Sequence, residues 1–197
     1  MPNQLPRARF RPDQTSFSKV TFDAVLLDRD GTIIRHVPYL SDPAQVELED
    51  HAVEGLKALA NVADYLIVCS NQSAVGRGFC SITDVEAVNF KMVELLAFAG
   101  VTLDKIYYCP HHPNDGCECR KPKTKMAHWA AELFSFDLTS TVVIGDSESD
   151  VVFGKNIRAA SVLISKEPEN NLSTRADLVA SDLLQAARLL GDLGPNA

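Results

Sequence analysis

The sequence predicts an α/β fold, namely a Rossmann-like, doubly wound parallel sheet with helices on both faces. Short apolar runs rich in Val, Ile, Leu and Tyr alternate along the chain with longer amphipathic segments. The apolar runs are continuous in character, which is typical of strands that are buried on both faces. The regular succession of strand and helix favours a parallel sheet, because each parallel connection needs a crossover.

Five apolar runs have the length of buried strands. They are DAVLLD (23–28), YLIVCS (65–70), KIYYCP (105–110), TVVIGD (141–146) and ASVLI (160–164). The amphipathic segments predict helices over residues 51–62, 83–99, 124–135, 149–157 and 178–190. In the second helix, Thr83 and Glu86 have the spacing of a capping box, and Gly100 follows as the helix end.

Length and composition fit one globular domain. The chain has 197 residues, of which 46% are hydrophobic and 23% charged, and these are ordinary values. We expect a leader (1–19), a single domain (20–190) and a tail (191–197). No apolar stretch approaches the roughly 18–20 residues of a membrane span, and the basic N-terminus lacks the apolar core of a secretory signal. The expected location is the cytoplasm.

The charge of the chain bears on its partners. A formal net charge of −7 disfavours nucleic acid and anionic membranes as partners. A small anionic substrate remains compatible with this charge, since local charge decides such binding. One local run is strongly basic and contains Arg120, Lys121, Lys123 and Lys125. We expect a monomer that acts on a small molecule.

Three of the five cysteines cluster at Cys109, Cys117 and Cys119. In a chain without a secretory signal a disulfide framework is disfavoured, and metal ligation is the better interpretation. The pattern C-x-H-x5-C-x-C offers three thiolates and one imidazole, the ligand set of a closed and therefore structural zinc site. His111 fits this pattern, and His112 is the adjacent alternative. Free thiols in a loop are the other interpretation.

Polar residues follow the carboxyl ends of four predicted strands, in LLD-RDGT, IVCS-NQS, YYCP-HHP and VIGD-SESD. Ligands of open parallel sheets bind at this edge, so Asp28, Ser70 and Asp146 should meet there. Each acid alone is also common as a helix cap or turn former. Asp28, Asp30 and Asp146 together would repel one another without a cation among them. Carboxylate oxygens suit Mg²⁺, an ion that also tends to bind substrate phosphate, and we therefore predict Mg²⁺ here.

Four segments resemble the motifs of the haloacid dehalogenase-type phosphatases. They are DRDGT, SNQS, RKPK and GDSESD, and they span residues 28–150. SNQSAVGRG and YYCPHHP…CxCRKPK resemble one branch, which holds the D-glycero-D-manno-heptose 1,7-bisphosphate 7-phosphatases and the histidinol-phosphate phosphatases. This resemblance implies a phosphomonoester hydrolase, with the heptose bisphosphate as the favoured substrate. Histidinol phosphate or another small phosphomonoester is the alternative.

The family mechanism, transferred by motif, implies a role for each matching residue. Asp28 would be the nucleophile that forms an aspartyl-phosphate, and Asp30 the general acid and then the general base. Mg²⁺ would be held by Asp28, the main chain of Asp30, and Asp146. Ser70 and Lys121 would bind the phosphoryl oxygens. A zinc-stabilised binding module without turnover is the second class of function, and the presence of the acids and the lysine disfavours it.

The resemblance also bears on ligands and substrate contacts. It favours His111 as the zinc ligand, and Arg120 suits a bidentate contact with phosphate or hydroxyls. By position, further substrate contacts are Tyr39, Ser70, Asn71, Gln72 and Ser73. The sequence leaves two alternative roles for each of two further residues. Asp150 either supports the site or is a surface acid, and Arg77 either reaches a second anionic group or lies on the surface.

The spacing of the motifs leaves no room for a separate cap domain. The loops RHVPYLSDP (35–43) and SNQSAVGRG (70–78), with the zinc-binding loop, would then select the substrate. Three positions depart from the heptose branch. Ile34, Ala74 and the pair Thr124-Lys125 stand where that branch has Asn, Gly and Pro-Gly. The departures leave the catalytic set intact and make the identity of the sugar less secure.

Overall fold

The computed structural model describes residues 22–166 and 175–192. The predicted leader (1–19) lies outside the described residues, as do residues 193–197 of the predicted tail. Within the described ranges, no helix combines the length and the apolar character that crossing a membrane requires.

The described strands form one parallel sheet in the order β3-β2-β1-β4-β5-β6. They are β1 Phe22–Leu27, β2 Ala63–Asn71, β3 Lys105–Cys109, β4 Thr141–Gly145, β5 Ala160–Ile164 and β6 Leu178–Ala180. Five of them coincide, to within two residues, with the predicted apolar runs. The predicted α/β class with a parallel sheet is therefore confirmed.

Helices cover both faces of this sheet, as predicted. They are α1 Ala52–Leu59, α2 Ser73–Gly76, α3 Ile82–Phe98, α4 Lys125–Phe134, α5 Glu148–Asn156 and α6 Leu183–Asp192. Successive β1 side chains point to opposite faces. Val25 and Leu27 pack in a core with α1, α3 and α6, whereas Ala24 and Leu26 pack in a second core with α4 and α5. In the described ranges no separate cap domain is inserted between these elements.

The prediction of one helix over residues 178–190 is wrong at its start. Leu178–Ala180 forms the sixth strand, and the helix begins only at Leu183. The short strand pairs with β5, with Leu178 opposite Val162. An apolar segment this short has no periodicity that distinguishes strand from helix. The open edge of β5 decides its conformation.

The predicted cap of α3 is also wrong by two residues. Ser81, with extended backbone, is the N-cap, and its side chain accepts a hydrogen bond from Asp84 N at 3.1 Å. The Asp84 carboxylate accepts in return from Ser81 N at 2.7 Å. The box therefore comprises Ser81 and Asp84, and the predicted pair Thr83 and Glu86 lies inside the helix. Gly100 follows the helix with φ of +79°, as predicted for a helix end.

Replacing Ser81 by Ala should lower the free energy of unfolding by about 1 kcal/mol, because one end of the capping box is lost. Thr83→Ala is the matched control, since Thr83 is exposed on the first turn of the same helix. Urea unfolding followed by circular dichroism measures both variants. Equal destabilisation by the two substitutions would contradict the assignment of the cap.

Candidate active site

The carboxyl ends of β1, β2 and β4 lie side by side, because β1 pairs with both neighbours. A cleft of about 500 Å³ opens above them. Every predicted catalytic, substrate-binding and Mg²⁺-binding residue lines it, namely Asp28, Asp30, Tyr39, Ser70, Asn71, Gln72, Ser73, Arg120, Lys121 and Asp146. The sheet thus brings together residues that are more than a hundred positions apart in the sequence.

A buried lysine links two acids in the floor of this cleft. Lys121 Nζ lies 2.8 Å from Asp28 Oδ1 and 2.5 Å from Asp150 Oδ1, and its side chain is 2% exposed. Burial alone would lower the pKa of Lys121, but the carboxylates of Asp28 and Asp150 outweigh burial and raise it. The lysine therefore remains a cation and places a fixed positive charge beside Asp28.

The surroundings of Asp28 fit a cation. Burial raises its pKa to about 7, Lys121 opposes this rise, and Asp150 and Asp30 add to it. Asp28, Asp146 and Asp150 each offer an oxygen, and these atoms lie within 4.8 Å of one another. Burial and the nearby Asp150 also raise the pKa of Asp146. A divalent cation with oxygen ligands would offset the repulsion among these carboxylates and hold Asp28 and Asp146 ionised.

Asp150 is not a surface acid, because it is 1% exposed. One of its oxygens pairs with Lys121, and the other accepts hydrogen bonds from Ser147 N at 3.2 Å and Ser147 Oγ at 2.5 Å. A Cβ on Gly145 would come within 2.3 Å of the Asp150 carboxyl carbon. Both oxygens of Asp150 are thus engaged by protein groups, which favours a role in holding Lys121 over direct ligation of a metal.

The cysteine cluster closes around one point beside the end of β3. Cys109 Sγ lies 3.5 Å from both His111 Nδ1 and Cys117 Sγ, and His111 Nδ1 lies 3.2 Å from Cys119 Sγ. Tetrahedral zinc with ordinary bond lengths separates its ligand atoms by roughly 3.5–3.8 Å. Two of the three distances lie in this range, the third is slightly shorter, and all four ligand atoms lie within 4.8 Å of one another, which is compatible with this ion. The ring of His112 instead accepts a hydrogen bond from Asn114 N. The geometry therefore favours His111.

Comparison with known proteins gives the family. A family model described as HAD-hydrolase-like matches residues 118–186. The D-glycero-beta-D-manno-heptose-1,7-bisphosphate 7-phosphatase of Helicobacter pylori (strain J99) is 35% identical over 150 residues, which are 75% of this chain and 86% of that protein. The chain belongs to the haloacid dehalogenase-type phosphatases.

Two further matches agree with this family. The D-glycero-alpha-D-manno-heptose-1,7-bisphosphate 7-phosphatase of Mycobacterium tuberculosis is 36% identical over 140 residues, which are 70% of this chain and 74% of that protein. The crystal structure of D,D-heptose 1,7-bisphosphate phosphatase from B. bronchiseptica, complexed with magnesium and phosphate, superposes with a TM-score of 0.78 at 25% identity. The superposition covers 87% of this chain and 99% of that one.

The second acid of the phosphatase is held differently from the first. Gln72 Nε2 donates to Asp30 Oδ2 at 2.7 Å, and Arg29 donates to both oxygens, from Nε at 3.1 Å and from Nη2 at 3.0 Å. Arg29 also donates from Nη1 to Asn89 Oδ1 at 2.7 Å. The sequence interpretation missed Arg29 and Asn89. An arginine between two acids at the end of a buried strand was the available signal.

Two predicted substrate contacts, Asn71 and Gln72, form hydrogen bonds with other protein residues through their side-chain amides. Asn71 donates to the Lys121 carbonyl at 3.1 Å and accepts from Lys121 N at 2.9 Å. Gln72 Nε2 donates to Ser70 Oγ at 2.7 Å in addition to Asp30. The two amides therefore hold Lys121, Ser70 and Asp30 in the cleft of the phosphatase. Because the Ser70 hydroxyl accepts from Gln72, its own proton is available to a phosphoryl oxygen.

The mouth of the cleft is aromatic on one side. Tyr39 is 54% exposed, and its ring lies 4.5 Å from that of Phe79 between centroids. Arg120 lines the cleft, and its Nη1 is buried without a hydrogen-bond partner among the described residues, which suits an anion. Arg77, at the end of α2, is exposed and does not line the cleft.

Replacing Gly31 by Ala should lower the turnover of the phosphatase on the order of a hundredfold, since a shift of about 1 Å in a positioning group has this effect. Gly31 has φ of +75°, and its Cβ would lie 2.1 Å from Asp146 Oδ2, so Asp146 must move. Gly100→Ala is the control, because Gly100 has φ of +79° and open space around it. Steady-state kinetics and thermal unfolding measure both. A similar kcat in the two variants would contradict the close approach of Gly31 to Asp146.

Proposed function

We propose that this phosphatase is Mg²⁺-dependent and acts through an aspartyl-phosphate on D-glycero-D-manno-heptose 1,7-bisphosphate, from which it removes the 7-phosphate. One observation supports the reaction above all others. Asp28 follows the central strand, is nearly buried, and faces the buried ammonium of Lys121 in a cleft that also holds Asp30 and Asp146. The sugar is proposed from the names of the relatives and from the motifs of their branch.

The reaction consists of two displacements at phosphorus. An Asp28 oxygen attacks phosphorus, the bond from phosphorus to the sugar oxygen breaks, and Asp30 donates a proton to the leaving oxygen. A water then attacks the aspartyl-phosphate while Asp30 takes its proton. This step releases phosphate and restores Asp28. The ion pair with Lys121 lowers the pKa of Asp28 against the effect of burial and so favours the attacking carboxylate.

Asp28, Asp146 and the main chain of Asp30 would hold the magnesium ion. When bound, Mg²⁺ supplies charge that shields the nucleophile from the anionic substrate and stabilises the phosphoryl oxygens. Lys121 and the Ser70 hydroxyl bind those oxygens from the protein side, and Arg120 binds a further phosphate or hydroxyl oxygen. Each of these groups lines the cleft before substrate binds, so little reorganisation is needed during reaction.

The zinc site is proposed as structural. Cys109, His111, Cys117 and Cys119 would supply four ligands to zinc, which would leave no position for water or substrate. Arg120 and Lys121 follow the last ligand directly. Zinc would therefore fix the loop that places both cations in the cleft.

Loops would choose the substrate, since no cap domain is present in the described ranges. Of the three departures from the heptose branch, Ile34 is buried in the core, and Thr124 and Lys125 precede and begin α4. Among these positions only Ala74 lines the cleft. Two of the three departures therefore lie away from the cleft, and Ala74 is the one that bears on the choice of sugar. A monomeric, cytoplasmic enzyme without nucleic-acid or membrane partners stays a prediction from the sequence.

A substrate panel tests the proposed function. Heptose 1,7-bisphosphate should give the highest kcat/KM, above histidinol phosphate and simple sugar phosphates, with phosphate released from C7. Both anomers belong in the panel, because the relatives include enzymes named for each. Asp28→Asn should reduce turnover to background on every substrate while preserving the thermal unfolding temperature. Faster hydrolysis of histidinol phosphate would contradict the heptose as substrate and favour histidinol phosphate. An active Asp28→Asn protein would overturn the mechanism.

Replacing Cys117 by Ser should lower both zinc content and activity, the latter on the order of a hundredfold, because Arg120 and Lys121 lose their fixed placement. Added Mg²⁺ should not rescue the variant. Cys80→Ser is the control, since Cys80 is a free thiol outside the cluster. Metal analysis and kinetics on the same preparation decide the outcome. A zinc-free protein with full activity would contradict the structural role, and so would a zinc-loaded protein that turns over without Mg²⁺.

A further inference from the structure

A buried arginine separates the two acids that follow β1. The side chain of Arg29 is 1% exposed, although a guanidinium is among the most costly groups to bury. Such a group is tolerated only when its charge is paired and its donors are bonded. Arg29 meets both conditions through Asp30 and Asn89.

The contacts of Arg29 form a chain from the cleft to a helix. The Nε and Nη2 groups donate to different oxygens of Asp30, and Nη1 donates to Asn89 Oδ1 at 2.7 Å. Asn89 is 7% exposed and lies in α3, 60 residues further along the chain. The Arg29 carbonyl also accepts from Ile33 N and Ile34 N, which holds the turn after β1. Hydrogen bonds therefore hold both the guanidinium and the backbone of Arg29.

We propose that Arg29 is a positioning residue for Asp30 and that Asn89 anchors Arg29. The inference rests on the proposed function, in which Asp30 transfers the proton. A carboxylate bonded at one oxygen can still rotate, whereas a two-pronged contact also fixes its plane. Without Arg29, Gln72 would bond Asp30 Oδ2 alone and leave Oδ1 without its contact to the guanidinium. The expected defect is therefore in proton transfer and not in substrate binding.

The leaving group distinguishes this role from a general structural one. Departure of a sugar alkoxide needs a proton, whereas departure of 4-nitrophenolate does not. Arg29→Met should lower kcat/KM for heptose 1,7-bisphosphate on the order of a hundredfold. This ratio includes the departure of the leaving group but not the hydrolysis of the aspartyl-phosphate, which both substrates share. The loss for 4-nitrophenyl phosphate should be several times smaller. Arg29→Lys should recover little, because an ammonium cannot make the two-pronged contact.

Asn89→Leu and Arg188→Met complete the set. Asn89→Leu should show the same dependence on the leaving group with a smaller loss, and it keeps the test available if Arg29→Met does not fold. Arg188→Met removes an exposed arginine on α6 and should match the unsubstituted protein. An equal loss of kcat/KM on both substrates, or a rise in KM for the heptose substrate with kcat unchanged, would overturn the positioning role.

A double substitution separates this inference from the proposed function. If Arg29 acts through Asp30, adding Arg29→Met to Asp30→Asn should cause almost no further loss on the heptose substrate. Additive losses would overturn the inference while the general-acid role of Asp30 stands. If Asp30→Asn itself lowers kcat/KM equally on both substrates, the general-acid role fails, and the inference about Arg29 fails with it.

Discussion

The buried ion pairs of Lys121 with Asp28 and Asp150 are the interaction on which the site depends. They join the end of β1, the loop of the Cys/His cluster and α5. Removing Lys121 would leave the buried carboxylates of Asp28 and Asp150 without their cation, and an uncompensated buried charge costs several kcal/mol. The lysine must therefore be placed accurately. The nitrogen and the oxygen of the Asn71 side-chain amide both form hydrogen bonds with its backbone. The Cys/His cluster ends two residues before it, in a loop without regular structure, so a metal ion at this cluster would help to fix the lysine.

The sequence predicts which residues meet, because that follows from the direction of parallel strands. Asp28, Ser70 and Asp146 each end or follow a buried strand, so their common edge needs no knowledge of side-chain contacts. The exact partners were not predictable in this way. The start of the last helix depends on the open edge of β5, and the cap of α3 depends on which of two similar spacings the backbone adopts. The contact between Arg29 and Asn89 joins elements 60 residues apart, which no local pattern reports.

The amides of SNQS show how a correct position can hide a different role. Asn71 and Gln72 line the cleft as predicted, yet their side chains bond Lys121, Ser70 and Asp30. A motif gives the position of a side chain along a strand but not the direction of its amide. Groups with unused bonding capacity are then better candidates for substrate selection. In this cleft they are the Arg120 guanidinium and the exposed Tyr39 ring.

Two carboxylates only two residues apart need different surroundings to do different chemistry. Asp28 has one close ion pair, which joins its Oδ1 to Lys121 Nζ, so Oδ2 is the candidate for attack. Asp30 instead has both oxygens engaged by Arg29 and Gln72. In the proposed mechanism Asp30 first donates and later accepts a proton, so it must keep one orientation through both steps, while the nucleophile must keep a free lone pair. Arg29 fixes the orientation of Asp30 and makes no contact with Asp28, because Nε and Nη2 donate to Asp30 and Nη1 donates to Asn89 in α3.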